Sequence, residues 1–343
     1  MVIPQTLMSG SSWGQAPTQF FYDLTPDRVL DAVETQGVHC TGRCLPLGSF
    51  ENRVYEIEIE WEHDEPPRTP SERFRVAKFY RPGRWTRAQI EEEHALIQAL
   101  QAEEIPAVAP LTFQDGKTLA EDKHTGIFYA LFPKVGGRSP DELTSEQRKR
   151  LGALLGRMHL VGAKEPFRER LTLTGVRYGR GSLEILEAEG VVPMHLESRL
   201  VQAVEVLSER YDSFFKPEQF IRLHGDCHLG NVLWNDAGPF FVDFDDAIQG
   251  PPVQDFWLLA GASDAGWSAR MEELIEGYEL FRTFDRQSLK AVPWLRGLRM
   301  VHHAAWIAKR WSDPAFPRVF PQFEDARYWE DLLYSIEALV RLE

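Results

Sequence analysis

A polar loop between two apolar segments holds the side chains with the most chemical potential in this sequence. The segment 221–234 contains Asp226 and, five positions later, Asn231. The next apolar segment, 239–244, carries Asp243, twelve positions after Asn231. A hairpin of the two segments would place Asn231 beside Asp243, and Mg²⁺ prefers a few oxygen ligands of this kind together with phosphate oxygens and water. Asp226 would then lie close enough to accept a proton from a substrate hydroxyl.

An ordinary β-hairpin with turn-forming Asp and Asn residues is the alternative for this segment. It accounts well for residues 235–238, which read as a tight turn. It does not account for four polar residues among Leu, Val, Trp and Phe, namely His224, Asp226, Asn231 and Asp243. We therefore favour a metal site with a nearby carboxylate.

Hydrophobic patterning predicts a small β-rich region ahead of this loop. Tyr, Ile and Trp alternate with Glu over 54–61, which is typical of a half-buried strand. A returning strand is predicted at 74–79 and carries Lys78. Other elements are predicted as a helix near 25–36 capped by Thr25, a helix at 86–101 capped by Thr86, and short strands at 109–113 and 126–132.

Beyond residue 133 the pattern becomes helical. The predicted helices are 144–163, 194–213, 254–260, 269–283, 288–311 and 326–341. We expect three parts: a mobile N-terminal extension at 1–22, an N-lobe at 23–133 and a helical C-lobe at 134–343. The fold class is α+β, with a small antiparallel sheet and one long helix in the first lobe.

Composition excludes several classes of protein. The chain has 343 residues, with 38 Lys and Arg against 52 Asp and Glu, for a net charge of −14. Such a charge repels nucleic acids and anionic membranes, so we expect neither as a partner. The 3 cysteines are too few for a disulfide framework and fit a reducing cytoplasm. No apolar run approaches a membrane span, and residues 1–22 lack the basic start of a signal peptide.

The catalytic-loop pattern resembles a known superfamily. His224-Gly225-Asp226-x4-Asn231, followed by Val242-Asp243-Phe244, resembles the catalytic loop and metal strand of the aminoglycoside phosphotransferase and choline kinase superfamily, which is related to protein kinases. Four motifs in chain order narrow the resemblance to the stress response kinase A family of bacterial Ser/Thr protein kinases. They are Phe50-Glu51-Asn52-Arg53-Val54-Tyr55, Lys78-Phe79-Tyr80-Arg81-Pro82, Leu223-His224-Gly225-Asp226-Cys227-His228 and Trp311-Ser312-Asp313-Pro314-Ala315-Phe316-Pro317. The resemblance covers residues 23 to 340 and implies a bilobal, protein kinase-like fold.

The resemblance implies roles for particular residues. Asp226 matches the catalytic aspartate, and Asn231 and Asp243 match the Mg²⁺ ligands, with Asp243 also counted as catalytic. Lys78 matches the lysine that pairs with the α- and β-phosphates of ATP. Its helix partner is expected to be Glu93, with Glu92 as the fallback.

Two further residues take their roles from the same resemblance. Ser49 lies in the turn that replaces the phosphate-covering loop, where Gly48 is the single glycine; as an alternative, Ser49 is simply a turn residue. Asp255 resembles the buried aspartate that braces the catalytic loop, a role compatible with its being a helix N-cap.

The sequence also departs from conventional protein kinases. The catalytic loop reads His-Gly-Asp rather than His-Arg-Asp, and only eleven residues separate Asp243 from Asp255. That interval is too short for a phosphorylated activation segment. We therefore expect an enzyme that is active as made.

The implied function is an ATP- and Mg²⁺-dependent Ser/Thr protein kinase, a monomeric cytoplasmic stress-response protein and itself a phosphoprotein. The main alternative is a small-molecule hydroxyl kinase of the aminoglycoside, choline or homoserine kinase type. Asp245 and Asp246 are compatible with a cationic acceptor but are not diagnostic of one. A nucleotide-binding pseudokinase would require the loss of Lys78, Asp226, Asn231 or Asp243, and all four are present. A metal-dependent hydrolase would leave Lys78 without a role.

Several polar residues remain open on the sequence alone. His159 is expected to be a packing histidine. Arg299, His303, Trp306 and Arg310 share one helix face, which either lines the acceptor side of the site or is a core stripe. Arg81 and Arg84 follow Lys78 closely, so phosphate contact is one interpretation, but we favour a solvated turn.

Overall fold

The structure, a computed structural model, describes residues 21, 23–49, 51–61, 64–261 and 263–342. These residues divide into two compact units. The first comprises the chain as far as Pro140 together with Val232–Asp245, and the second comprises Asp141–Asn231 and the chain from Asp246 onward. Of the predicted extension at 1–22, only Phe21 lies among the described residues.

A five-stranded antiparallel sheet forms the centre of the first unit. Its strands are β1 (Cys40–Leu47), β2 (Arg53–Ile59), β3 (Phe74–Phe79), β4 (Ala120–Glu121) and β5 (Phe128–Pro133). Their order across the sheet is β1-β2-β3-β5-β4. The alternation predicted for β2 is confirmed, since Ile57 and Ile59 are buried while Glu56 and Glu58 are only partly covered.

Lys78 lies near the end of the central strand β3. It is paired with Val54 in β2 on one side and with Ala130 in β5 on the other. Because β3 has neighbours on both edges, its backbone is held by two ladders of hydrogen bonds. The position of the Lys78 side chain is therefore fixed by the sheet.

Two helices complete this part of the chain, α1 (Pro26–Glu34) and α2 (Arg87–Ala102). The predicted caps are confirmed. The Thr25 hydroxyl accepts a hydrogen bond from Arg28 N, and Thr86 and Gln89 exchange the reciprocal bonds of a capping box. This cap fixes where α2 begins, and hence which of its residues face the sheet.

The core of the first unit lies between α1 and the sheet. Val29 and Val33 of α1 pack in one cluster with Ile57, Phe79 and neighbouring apolar side chains. Phe21 is buried in the same cluster at 7% exposure, so the predicted mobile extension does not include it. Residues 1–20 and 22 lie outside the described residues.

A short hairpin, β7 (Val232–Asn235) and β8 (Gly238–Phe241), also belongs to the first unit. The sequence-based boundary at 133/134 places it in the C-lobe. The physical reason for the difference is pairing, because Phe241 forms a bridge with Ala107 and Trp234 forms one with Arg138. The predicted turn at 235–238 is confirmed.

One predicted strand does not form. Residues 109–113 are irregular, and the strand paired with β5 is β4 instead. Pro110 lies inside the predicted segment and has no backbone N–H to donate to a ladder. A single bond, from Leu111 N to Leu131 O, connects this segment to β5.

The second unit is mostly helical. Its helices are α3 (Ser145–Gly162), α4 (Gly181–Glu189), α5 (Met194–Phe214), α6 (Val253–Ala260), α7 (Trp267–Tyr278), α8 (Val292–Lys309), α9 (Ala315–Val319) and α10 (Ala326–Val340). Two short antiparallel strands, β6 (Ile221–Leu223) and β9 (Ile248–Gly250), flank the catalytic loop and its downstream segment. None of the helices in the described part of the chain is both long and apolar enough to cross a bilayer.

The helix α4 was not predicted. The segment contains Gly175, Gly179 and Gly181, and it forms a π-helical turn (Val176–Arg180) that continues into α4. A Cβ atom at Gly179 would lie 2.0 Å from Ser208 Oγ in α5, and one at Gly175 would lie 2.4 Å from Ser208 O. These glycines therefore serve close packing rather than flexibility.

Candidate functional site

Lys78 projects into a group of carboxylates in the first unit. Its Nζ lies 3.0 Å from Asp245 Oδ1 and 3.2 Å from Asp243 Oδ1. Glu93 Oε1 is the third neighbour, at 3.6 Å. Burial alone would lower the pKa of Lys78, but the carboxylates outweigh it and hold that pKa well above its ordinary value. Lys78 is therefore a permanent cation in a fixed position.

Glu93 faces Lys78 from α2. Its side chain is 1% exposed, whereas Glu92 lies partly exposed on the adjacent face of the helix. The buried side of α2 includes Ile90, Glu93 and Ile97, which share the helical spacing that faces the sheet. The geometry thus brings the predicted residue, rather than the fallback Glu92, to Lys78.

A chain of ion pairs continues from Asp245, for which the sequence suggested only a place near the acceptor. Arg84 Nη1 pairs with Asp245 Oδ2, and Arg84 Nε lies 3.9 Å from Glu51 Oε1. Arg81 Nε lies 3.0 Å from the same Glu51 oxygen. Glu51 thereby connects the turn before β2 to the residues that surround Lys78.

The prediction that Arg81 and Arg84 lie in a solvated turn is wrong. They are 2% and 6% exposed, respectively. Their partners Glu51 and Asp245 are distant in sequence, so local composition could not reveal the pairing. The available signal was the basic run that follows Lys78, combined with the acidic run at 243–246.

Ser49 lies in the turn between β1 and β2. Its hydroxyl accepts a hydrogen bond from Asn52 N at 3.3 Å, the contact expected of a Ser in a turn. Asn52 in turn accepts a bond from Arg81 N at 3.1 Å. Phe50, the first residue of the matching motif, lies outside the described residues, and a role of Ser49 in nucleotide binding stays a prediction.

Asp243 follows β8 with an unusual backbone. Its φ is +59°, a left-handed conformation that is unfavourable for a residue with a Cβ atom. Its side chain is 56% exposed. A strained, exposed carboxylate next to a buried lysine is typical of a functional position.

The loop that contains Asp226, in the second unit, is held by Asp255. One oxygen of its carboxylate accepts a bond from His224 N at 3.0 Å, and the other accepts one from Gly225 N at 2.9 Å. His159 Nε2 lies 3.1 Å from Asp255, and His159 Nδ1 lies 3.0 Å from the hydroxyl of Tyr278. Asp255 thus braces the loop, and His159 is a satisfied packing histidine.

Asp226 lies in this braced loop and is ionised. Arg299 Nη2 lies 2.5 Å from Asp226 Oδ1, and His228 Nε2 lies 3.5 Å from Asp226 Oδ2. Burial would raise the pKa of Asp226, but the His228 and Arg299 interactions outweigh it and hold that pKa below its usual range. The Asp226 side chain is 22% exposed, so a substrate can reach it.

Asn231 is oriented by the same loop. Its Nδ2 donates a hydrogen bond to the backbone oxygen of Asp226 at 2.9 Å. Its Oδ1 is the remaining acceptor of the amide and is of the kind that Mg²⁺ binds. Asn231 belongs to the second unit and Asp243 to the first, and their joint binding of one metal ion stays a prediction.

One helix face carries Arg299, His303, Trp306 and Arg310. The sequence left open whether this face lines the site or belongs to the core, and in the structure each half does one of the two. Arg299 reaches the carboxylate of Asp226. Trp306 packs against Phe316 and Phe320, and Arg310 is 3% exposed. The first half of the face therefore belongs to the site and the second half to the core.

Replacing Gly225 by Ala is expected to destabilise the second unit by about 3 kcal/mol. Part of this cost arises because a residue with a Cβ atom disfavours a left-handed backbone, and part arises because the added Cβ overlaps a neighbouring atom. Gly225 has a φ of +84°, and its Cβ would lie 2.1 Å from Asp246 O. Gly190→Ala is the matched control, because its φ is +61° and nothing lies within 4 Å of the added atom. Thermal unfolding of both variants measures the difference, and equal midpoints would contradict the tight loop geometry.

Comparisons with known proteins show the family to which the chain belongs. Residues 44–292 match the model of the phosphotransferase enzyme family (APH). Stress response kinase A of Escherichia coli O157:H7 is 40% identical over 310 residues, which cover 90% of this chain and 90% of that protein. The serine/threonine protein kinase RdoA of Salmonella typhimurium (strain LT2) is 39% identical over 311 residues, with the same coverage of 90% on each side.

A solved structure shows the same fold. Amicoumacin kinase hAmiN, in complex with AMP-PNP, Ca²⁺ and Ami, has a TM-score of 0.68 and 18% identity, and the match covers 89% of this chain and 93% of that one. The predicted α+β, protein kinase-like fold is therefore confirmed. From the family match and the 40% identity over most of its length, the chain belongs to the phosphotransferase enzyme family and, within it, to the stress response kinase A family.

Proposed function

We propose that this phosphotransferase moves the γ-phosphate of ATP, with Mg²⁺, to Ser and Thr hydroxyls of proteins. The observation that carries the proposal is Lys78, a buried cation held among Glu93, Asp243 and Asp245. A cation fixed by carboxylates on a central strand is suited to the phosphates of a nucleotide, because it needs no reorganisation when they bind.

The donor set fits Mg²⁺. The described residues contain no group of three or more His, Cys, Asp or Glu side chains that could hold a metal ion by themselves. Mg²⁺ commonly takes only one or two protein oxygens and fills its remaining positions with phosphate oxygens and water. The exposed carboxylate of Asp243 and the Oδ1 of Asn231 would be those ligands, and Mg²⁺ would neutralise phosphate charge.

Asp226 would orient the acceptor hydroxyl and receive its proton. The hydroxyl oxygen bonds to the γ-phosphorus, the bond from that phosphorus to the β,γ-bridging oxygen breaks, and ADP leaves. Because phosphoryl transfer has a loose transition state, the proton is needed late, and a weakly basic carboxylate suffices. The Asp255 brace keeps Asp226 in place throughout.

A protein acceptor is supported by the relatives rather than by the site. RdoA is named a serine/threonine protein kinase, and the E. coli relative is named for stress response. Between Asp243 and Asp255 the chain forms only a short 3-10 turn (Phe244–Asp246), β9 and the start of α6. This interval leaves no room for a phosphorylated activation segment, which supports an enzyme that is active without such a switch. The cytoplasmic location, the monomeric state, autophosphorylation and the lack of nucleic-acid and membrane partners stay predictions.

A small-molecule hydroxyl kinase is the second candidate. It is favoured by a cavity of about 590 Å³ in the second unit, lined by Arg299 and thus beside Asp226. A cavity of this size accommodates a drug-sized molecule. The fold is shared with amicoumacin kinase hAmiN, but fold alone does not fix a substrate.

Labelled ATP distinguishes the two candidates. The protein is incubated with γ-labelled ATP and Mg²⁺, once with a mixture of dephosphorylated proteins and once with a panel of amino alcohols and sugars. We expect label on protein Ser and Thr residues and none without Mg²⁺. Label that moves only to members of the small-molecule panel would overturn the protein acceptor.

A further inference from the structure

The cavity beside Asp226 carries positive charge on the helix α8. Its volume is about 590 Å³, and Arg296 and Arg299 are both among its lining residues. They are three positions apart and therefore neighbours on one helix face. No carboxylate is among the cavity's lining residues in the described part of the chain.

Arg296 is held in place by contacts with uncharged groups. Its Nη2 donates a hydrogen bond to Gly261 O at 2.9 Å, and its Cζ lies 5.6 Å from the ring centroid of Trp257. No Asp or Glu among the described residues lies within salt-bridge distance of it. Desolvation by burial lowers the pKa of Arg296, and a bound anion would offset that cost. Its guanidinium is thus a prepared anion site.

Arg299 connects the cavity to the reacting group. It is 37% exposed, and its Nη2 lies 2.5 Å from Asp226 Oδ1. An anionic group of a ligand in the cavity would contact Arg299, which also contacts Asp226. A hydroxyl of the same ligand would then lie near the carboxylate of Asp226. The cavity and the proton acceptor are therefore parts of one acceptor site.

The remaining walls are largely apolar. Trp257, Met300, Leu339 and Leu342 line the cavity. A neighbouring cavity of about 440 Å³ shares Met300 with it and carries the carboxylates of Asp325 and Asp331. Arg327 lines that second cavity as well, so its charge is mixed, whereas the described residues that line the first cavity include Arg296 and Arg299 and no carboxylate.

The sequence suggested that Asp245 could help to bind a cationic acceptor, and the structure argues against that role. Asp245 is 4% exposed and is paired with Lys78 and Arg84 in the first unit. A carboxylate that already has two cationic partners has little attraction left for a third cation.

We propose that this cavity selects acceptors in which an anionic group, a carboxylate or phosphate, lies close to the hydroxyl that receives phosphate. The inference rests on the proposed kinase function and specifies its substrate class. The anion binds Arg296 and Arg299, and an apolar neighbour packs on Trp257 and Met300. An acidic Ser/Thr segment of a protein and a small hydroxy acid present the same chemistry.

Binding of matched probes tests the proposal independently of turnover. One pair is a capped peptide with a single Ser flanked by Glu residues and its Gln counterpart. The other pair is N-acetylserine and N-acetylserinamide. Calorimetric titration of the wild-type protein is expected to give at least about tenfold tighter binding for the acidic member of one pair, the size of one charge-assisted hydrogen bond. Which pair shows the preference identifies the source of the anion.

Three variants show whether Arg296 is responsible. In Arg296→Gln, we expect the affinities for the acidic and the neutral probe to differ by less than about threefold. Arg296→Lys should keep part of the preference for the acidic probe because the charge remains. Lys290→Gln removes an exposed cation just before α8 and should keep the full ratio. Equal binding of acidic and neutral probes, or an unchanged ratio in Arg296→Gln, would overturn the proposal.

Phosphate transfer to the same probes separates this inference from the proposed function. Transfer from ATP and Mg²⁺ to the acidic probe, at a kcat/KM about tenfold above the neutral one, supports both. An acidic preference in binding without transfer to any acceptor contradicts the kinase function and leaves the anion site standing. Transfer without any acidic preference contradicts the anion site alone.

Discussion

Asp226→Asn is expected to lower kcat for phosphate transfer by about 10³-fold, within the range that general acid–base groups contribute. The carboxylate that receives the hydroxyl proton becomes an amide of the same shape. Asp255 still holds the loop through His224 N and Gly225 N. The loss should therefore appear in kcat rather than in folding or in nucleotide affinity.

Two measurements make this prediction specific. Titration with a non-hydrolysable ATP analogue should give a dissociation constant within about threefold of the wild type, because Lys78 and its partners are in the other unit. Asp236→Asn is the matched control, since Asp236 is an exposed residue in the β7–β8 turn. A kcat for Asp226→Asn within about tenfold of the wild type would remove Asp226 from the chemistry.

Asp245→Ala is expected to cost the first unit about 3 kcal/mol or more, the typical result of removing one partner from a buried ion pair. Asp245 is 4% exposed and faces both Lys78 and Arg84. Without Asp245, the buried cations Lys78 and Arg84 each lose a neighbouring carboxylate. A buried charge that lacks its partner costs free energy because it is shielded from water. The position of Lys78 should change as well, with weaker nucleotide binding.

Denaturant unfolding measures this effect, with the two units followed separately because they need not unfold together. Asp236→Ala, again in the exposed turn, is the control and should change stability by less than about 0.5 kcal/mol. Adding Arg84→Met to Asp245→Ala should recover part of the loss, since it removes one of the stranded charges. A loss below about 1 kcal/mol for Asp245→Ala would mean that the ion-pair chain contributes little.

Local signals in the sequence were sufficient for most of the fold. The alternation in β2, the cap at Thr86 and the turn at 235–238 each depend on residues a few positions apart, and each is confirmed. The predicted roles of Asp226, Asn231 and Asp243 came from the resemblance. The structure shows which contacts hold Asp226 and Asn231 in their loop.

The parts that sequence reasoning missed depend on contacts between distant positions. Arg84 and Asp245 are separated by 161 positions, so nothing near Arg84 indicated that it is buried and paired. Residues 109–113 have strand-like composition, but Pro110 cannot donate to a ladder. The helix α4 was not predicted, and the glycines just before it, Gly175 and Gly179, pack against Ser208 of α5, which is distant in sequence.

The proposed kinase activity is tested most directly by transfer of labelled γ-phosphate from ATP by the wild-type protein and by Asp226→Asn, followed by identification of the labelled residue. We expect Mg²⁺-dependent phosphoserine or phosphothreonine on an acceptor protein with the wild type, and almost none with the variant. Binding of ATP without transfer to any protein or small-molecule acceptor would contradict it.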